Sequence, residues 1–322
     1  MIVEPVLRAA TALLSPAGAG ARLSTFIFHR VLAQPDPLLP GRIDARRFDE
    51  LLGWIVGQFN VLAPRDACER LRAGRLPPRA AMISFDDGYA DNHDVAWPLL
   101  RRRGMRAAFF VATGFLDGGT MFNDRVVEAV RLAPGPDVDA GWLGLGRLPV
   151  NDAGARRVAI RRLLDAVKYR PQPERDEAVA RLEALCAGRA PTDLMMTSAQ
   201  VRALHDAGME IGGHTRTHPI LRVLDDADAQ REIRLGAEEL RAITGSMPLL
   251  FAYPNGKPGQ DFDERHPPMV EAAGLHYAFT TVPGAARAAT DRFRLPRFTP
   301  WDRSAVRFQA RMLRNLRLAE PA

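Results

Sequence analysis

The sequence predicts an α/β fold in which parallel strands alternate with amphipathic helices around a closed or nearly closed barrel. Two patterns carry that prediction. Short apolar runs rich in β-formers recur along the chain, and longer stretches of helical periodicity lie between them. The count of about eight strands in 322 residues then favours a ring over an open sheet. In chain order the strand runs are Leu23–Phe28, Phe59–Leu62, Ala81–Phe85, Ala107–Ala112, Met209–Ile211, Leu249–Ala252, Tyr277–Val282 and Leu295–Phe298. Helical patterns lie near 45–57, 92–103, 122–132, 197–207, 227–244 and 302–317, and Thr197 with Gln200 forms a capping-box signature at one of them.

One stretch breaks the alternation. Residues 134–195 open with the Gly- and Pro-rich segment APGPDVDAGWLGLGRLP and continue as charged helical patterns near 152–168 and 174–187. They predict a helical insertion between two barrel strands, with no strand of its own. The expected organisation is an N-terminal segment over 1–22, a barrel over 23–300 and a basic helix over 301–322.

Composition excludes several classes. Apolar residues at 47% and charged residues at 25% are globular usage. No apolar run approaches the length of a membrane span. Two cysteines, Cys68 and Cys186, cannot build a disulfide framework or a four-cysteine zinc site, and they suit core thiols in a reducing compartment. The formal charge of +6 comes with scattered arginines. The tight run Arg101–Arg103 ends a predicted helix, where the dipole favours cations. No recognition motif accompanies the charge, so nucleic acid is not expected as a partner. The segment Arg303–Arg317 is predicted to pack Val306, Met312, Leu313 and Leu316 on the core; its basic face also fits peripheral contact with a membrane surface. Glu4 cancels the charge of Arg8, and Pro5 and Ser15 interrupt the N-terminal apolar run, so a cytoplasmic chain is expected, with membrane association and a signal peptide left open.

The chemistry-bearing residues follow predicted strands. Ala81–Phe85 runs into Asp86-Asp87-Gly88-Tyr89, where a turn at Gly88 would let two neighbouring carboxylates approach one site. Two like charges that close need a cation or a shared proton. Met209–Ile211 leads to His214-Thr215-Arg216-Thr217-His218, and histidines four apart share one side of a helical turn. Either element alone is compatible with a solvated polar turn. In a barrel both sit at the carboxyl ends of strands, and together they offer one carboxylate and two imidazoles with open positions. That is the donor set of a catalytic zinc or similar divalent site, with the second carboxylate left as a general base.

These residues resemble the first two motifs of the polysaccharide deacetylases, carbohydrate esterase family four. Phe28-His29-Arg30-Val31 resembles the first-strand motif of the exopolysaccharide branch, Phe109-Phe110-Val111 the strand after the aspartates, and Phe251-Ala252-Tyr253-Pro254-Asn255-Gly256 the third motif. The resemblance spans about residues 23–300. It implies a distorted (β/α)7 barrel and removal of N-acetyl groups from an amino-sugar glycan, with a divalent metal that is zinc, or alternatively cobalt or nickel. By the same resemblance Asp87, His214 and His218 hold the metal and Asp86 is the base. The metal and the backbone N–H near Asn255 stabilise the tetrahedral oxyanion.

Three departures stand out. Ala252 occupies the place of the third-motif arginine that steadies the base, Asn255 replaces an aromatic residue, and the late Leu-x-His motif with its proton donor is missing, Leu295-Pro296-Arg297-Phe298 standing there instead. His29 is therefore the candidate general acid, with a structural core histidine as the alternative. Arg297 is a candidate to orient the base or bind substrate, or else a surface arginine. Tyr89 and Trp301 are candidate sugar-stacking aromatics, and Asn123-Asp124 a candidate helix cap. His93, His205, His266 and His276 read as structural. Two other functions fit the same letters: hydrolysis of a non-carbohydrate amide or ester, and a catalytically silent, metal-binding glycan module.

Overall fold

The computed structural model describes residues 3–188 and 190–318. Seven strands form one parallel sheet: β1 (Ser24–Phe28), β2 (Asn60–Val61), β3 (Ala80–Phe85), β4 (Ala108–Val111), β5 (Glu210–Gly213), β6 (Leu250–Ala252) and β7 (Tyr277–Phe279). The main path runs β1-β3-β4-β5-β6-β7, and β2 pairs with the start of β3. Every residue of β1, β3 and β4 is buried, as expected for parallel strands covered on both faces.

The predicted eighth strand takes a different form. Leu295–Phe298 makes only isolated parallel bridges, Leu295 to Phe279 of β7 and Phe298 to Phe26 of β1. Leu295 N–H donates to Ala278 O (2.9 Å), and Phe298 N–H to Thr25 O (2.8 Å). Pro296 has no N–H and cannot continue a ladder. The segment nonetheless spans the gap between the first and last strands and closes a distorted βα barrel.

The helices cover this ring. Asp44 caps Ala45–Gln58, accepting Arg47 N–H at 2.7 Å, and that helix buries Phe48, Leu51, Leu52 and Ile55 at helical spacing. The Thr197–Gln200 capping box forms as the letters indicate. Near 92–103 the chain makes a π-helical turn over Asn92–Ala96 before the α-helix Trp97–Arg102. The helices Pro64–Arg72 and His266–Ala272 were not expected; both are short.

The insertion carries helices Ala153–Val167 and Gln172–Leu185, which bury Leu163, Val179 and Leu182 against Val126 and Val130 of helix Phe122–Leu132. It also contains an antiparallel hairpin, Asp137–Asp139 with Arg147–Pro149, where no strand was predicted. Three residues a side, set among Gly and Pro, are too few to show periodicity in the letters.

Helix Ala305–Arg317 packs Phe308, Met312 and Leu316 inward, with Leu313 half-buried. Val306, expected in that core, is 52% exposed. It lies two residues, about 200° of helical rotation, from Phe308. Helix Val3–Leu14 lies against this helix. Among the described residues no helix is long and apolar enough to cross a membrane.

Candidate metal and catalytic site

Strand β3 ends where Asp86 N–H donates to Phe28 O of β1 at 3.0 Å. The chain then turns through two left-handed residues, Asp87 at φ +81° and Gly88 at φ +91°. The sequence pointed to Gly88 as the residue that permits this turn. Asp87 shares it, at a cost of about 1–2 kcal/mol for a side chain in that region. A Cβ at Gly88 would lie 3.0 Å from Val111 Cγ1, so the glycine also answers to the neighbouring strand. The turn aims the two carboxylates at different partners around one cleft.

Asp86 meets Arg297, which reaches in from the closing segment. Arg297 Nη1 donates to Asp86 Oδ1 (2.6 Å) and Nη2 to Oδ2 (2.8 Å), a bidentate pair. Arg297 Nε donates to Thr280 O at 2.9 Å. Both side chains are almost wholly buried. Burial pushes the Asp86 carboxyl up, but Arg297 and the nearby imidazoles outweigh it and hold the group below its ordinary range. The sequence left Arg297 open between this role and a surface position; it is an interior residue on the candidate base, although Ala252 lacks the arginine seen in the related motif.

Asp87 meets the histidines. Its Oδ1 lies 3.4 Å from Nε2 of His214 and 3.4 Å from Nε2 of His218. The three donor atoms fall within 4.8 Å of one another. His214 Nδ1 donates to Ala252 O at 2.7 Å, which leaves the Nε2 lone pair facing Asp87. Burial, then His214, lowers His218 to a pKa of about 4, so its ring is neutral near pH 7. Asp87 is held far below its ordinary range, burial being outweighed by the imidazoles around it. Asp87 and Asp86 outweigh burial at His214 and raise its pKa. Two imidazoles and a carboxylate with converging donor atoms fit a divalent cation, which would take the place of a proton on His214.

The His-x-x-x-His segment is not a helical turn, contrary to the sequence expectation. Thr215 and His218 both adopt left-handed backbone, at φ +62° and +55°. Thr215 Oγ1 accepts His218 N–H (3.0 Å), and Glu232 accepts Arg216 N–H (3.1 Å) and Thr217 N–H (2.7 Å). Gly236, on the helix carrying Glu232, allows the close approach: a Cβ there would lie 2.8 Å from Thr215 O. The rings converge because a side-chain-bonded loop is clamped by that helix.

The remaining candidates divide. His29 lines the same cleft, a cavity of about 290 Å³ shared with Asp86, Asp87, His214, His218, Asn255 and Thr281. Burial holds His29 below its ordinary pKa against the pull of Asp87 and Asp86. Asn255 stands at φ +59°, its carbonyl accepting from Thr281 Oγ1 at 2.6 Å. Among the described residues its backbone N–H has no acceptor. Tyr89 does not offer a stacking face. It is fully buried, with its hydroxyl on Asp124 Oδ2 at 3.0 Å and Arg30 4.8 Å over its ring. Asp124 is therefore no helix cap; it lies in the first turn of helix Phe122–Leu132, bonded to Tyr89, while Asn123 lines the cleft. Trp301 is 68% exposed and stacked by Arg311 on a separate hollow that shares Thr281 with the cleft. Cleft residues not identified from the letters include Arg42, Met121, Phe122, Leu164, Lys168 and Arg175. Leu164, Lys168 and Arg175 reach the cleft through the docking of the insertion, and the others through loops at the strand ends.

A family model for polysaccharide deacetylases matches residues 73–134 and 176–278, just over half of the chain. The chain belongs to this family. The unmatched stretch between the two blocks, residues 135–175, holds the hairpin and the first helix of the insertion, while most of its second helix lies within the matched part. A putative polysaccharide deacetylase of Bacillus subtilis, YxkH, is 32% identical over 72 residues; the match spans 22% of this chain and 26% of that protein. Among solved structures, the Streptococcus pyogenes deacetylase PplD in complex with acetate superposes with a TM-score of 0.62 at 15% identity, covering 91% of this chain and 98% of that one. IcaB from Ammonifex degensii gives 0.58 at 17% identity over 92% and 98%. The deacetylase domain of BpsB from Bordetella bronchiseptica gives 0.55 at 20% over 86% and 95%. At these identities the structural likeness establishes the distorted barrel that the sequence predicted.

Proposed function

We propose that this polysaccharide deacetylase is a metal-dependent hydrolase that removes N-acetyl groups from an amino-sugar glycan. The observation that carries the reading is the convergence of Asp87, His214 and His218 beside a bidentate-held Asp86 in one cleft. Zinc suits two imidazoles and a carboxylate, as do cobalt and nickel. A divalent cation in that site supplies positive charge that polarises a carbonyl and makes water more acidic.

The chain's own residues divide the remaining work. Asp86, kept ionised and oriented by Arg297, takes a proton from the attacking water. The backbone N–H of Asn255 is a donor for the oxyanion as the carbonyl carbon becomes tetrahedral. His29, which lines the same cleft, is the residue placed to pass a proton to the leaving amine. The C–N bond then breaks to give acetate and a free amine. Arg297 weighs against the silent-module reading, because it supplies the guanidinium whose absence from the third motif favoured that reading.

The test is acetate release from N-acetylglucosamine oligomers before and after chelation, with activity restored by adding back zinc. Activity unchanged by complete metal removal would overturn the mechanism. Turnover of a non-carbohydrate amide or ester with none on the oligomers would overturn the substrate class.

A further inference from the structure

The cleft has a wall whose charge the proposed chemistry does not use. Arg42 precedes helix Ala45–Gln58, Lys168 ends the first insertion helix, and Arg175 lies in the first turn of the second; all three line the cleft. Most buried or half-buried arginines here meet a carboxylate, as Arg30 meets Asp91, Arg125 meets Glu183 and Arg297 meets Asp86. Among the described residues the half-buried Lys168 meets none, nor does Arg42, which is exposed at the rim. Lys168 Nζ lies 5.3 Å from the ring centre of Tyr169. The nearest acid to Arg175 is Asp176, at 3.8 Å and beyond hydrogen-bond reach. Arg175 Nε is buried with no hydrogen-bond partner, and its guanidinium lies 4.4 Å over Phe122, itself a cleft residue.

No acid inside the cleft is free to serve these cations. Asp86 is saturated by Arg297, and Asp87 faces two imidazoles. Like charges gathered at a low-dielectric surface repel one another, and a buried donor without an acceptor costs about 1–3 kcal/mol. An anionic ligand offsets both, and a guanidinium matches carboxylate or phosphate oxygens in bidentate geometry. Position narrows the choice further. A second hollow of about 120 Å³ shares Phe122, Asn123, Arg175 and His218 with the cleft. Arg175 therefore stands at the border between the reacting group and whatever is joined to it.

Resting on the deacetylase reading, we infer that the substrate carries a negative charge, as phosphate or carboxylate, close to the N-acetylated sugar, and that Arg42, Lys168 and Arg175 bind it.

The experiment uses the metal-loaded full chain and three matched N-acetylated disaccharides: neutral, phosphorylated, and carrying a uronic acid. At low salt the expected kcat/KM for an anionic compound exceeds that for the neutral one by about tenfold, and the gap narrows as salt rises. Lys168→Gln and Arg175→Gln should each bring the ratio toward one, chiefly through KM. Preference for phosphate or for carboxylate supports the inference and names the source of the charge. Equal or faster turnover of the neutral compound, or a ratio untouched by both substitutions, overturns it and leaves the deacetylase reading standing. Release of acetate from none of the three overturns that reading instead. Equilibrium binding of the same compounds then decides the inference: tighter binding of the anionic pair supports it, and equal or absent binding overturns it.

Discussion

The floor and the wall of the cleft are built on opposite principles. The floor comes from strand ends and consists of buried groups with assigned partners: Asp86 on Arg297, His214 on Ala252 O, the Thr215 turn on Glu232. Its backbone is held in left-handed conformation at Asp87, Thr215, His218 and Asn255, four of the seven non-glycine residues of that kind among those described. Such conformations persist where the surroundings over-determine them. The wall comes from the insertion and the loop after β1, and presents the long side chains of Arg42, Lys168 and Arg175, the last with its buried Nε unfilled. The floor's side chains are fixed by partners within the chain, whereas the wall's cations lack such partners.

The contrast breaks most visibly at the floor. Asp86→Asn should lower kcat by about 10²–10⁴, the range for losing a general base, while metal content by elemental analysis stays at the parent level. Retained turnover would move the base elsewhere. Next in size is Arg297→Met, which leaves a buried carboxylate without its partner. Chemical denaturation should show a loss of about 3–5 kcal/mol, and a loss under 1 kcal/mol would mean the pair is not closed in solution.

A third effect lies at the edge between the two regions, where burial, only partly opposed by Arg30, raises Asp124 to about 6. The folded chain therefore holds this proton more tightly than the unfolded chain. The resulting stability is full below about pH 4 and is lost as pH rises through 6. Asp124→Asn should gain on the parent by up to about 3 kcal/mol between pH 4 and pH 8, and a flat difference across that window would contradict the shift. The smallest change belongs to the wall. Leu164→Ala, on a half-buried insertion residue, should cost about 1 kcal/mol of stability and move KM rather than kcat. A kcat loss as large as that of Asp86→Asn would erase the distinction between floor and wall.

Legibility follows the same division. β3 and the Asp-Asp-Gly turn were readable because a buried run ending in charge and glycine is a local pattern. The pairing of that turn with the His-Thr-Arg-Thr-His segment was readable because strand ends of a βα barrel share a face. The helical turn assigned to those histidines was wrong, because Glu232 and the Thr215 hydroxyl take the backbone donors a helix would have used. Tyr89 failed as a stacking residue for a related reason: an aromatic after a turn has no marked direction until Asp124, some thirty-five residues on, accepts its hydroxyl.

Which donors and acids the site possesses, and that they cluster at strand ends, was settled by the order of the amino acids, since strand period and turn chemistry act over a few residues. That Arg297 pairs with Asp86, and that Lys168 and Arg175 line the cleft beside it, was settled by closure of the ring and by docking of the insertion. Those contacts join positions up to 211 residues apart, and no local rule spans such a distance.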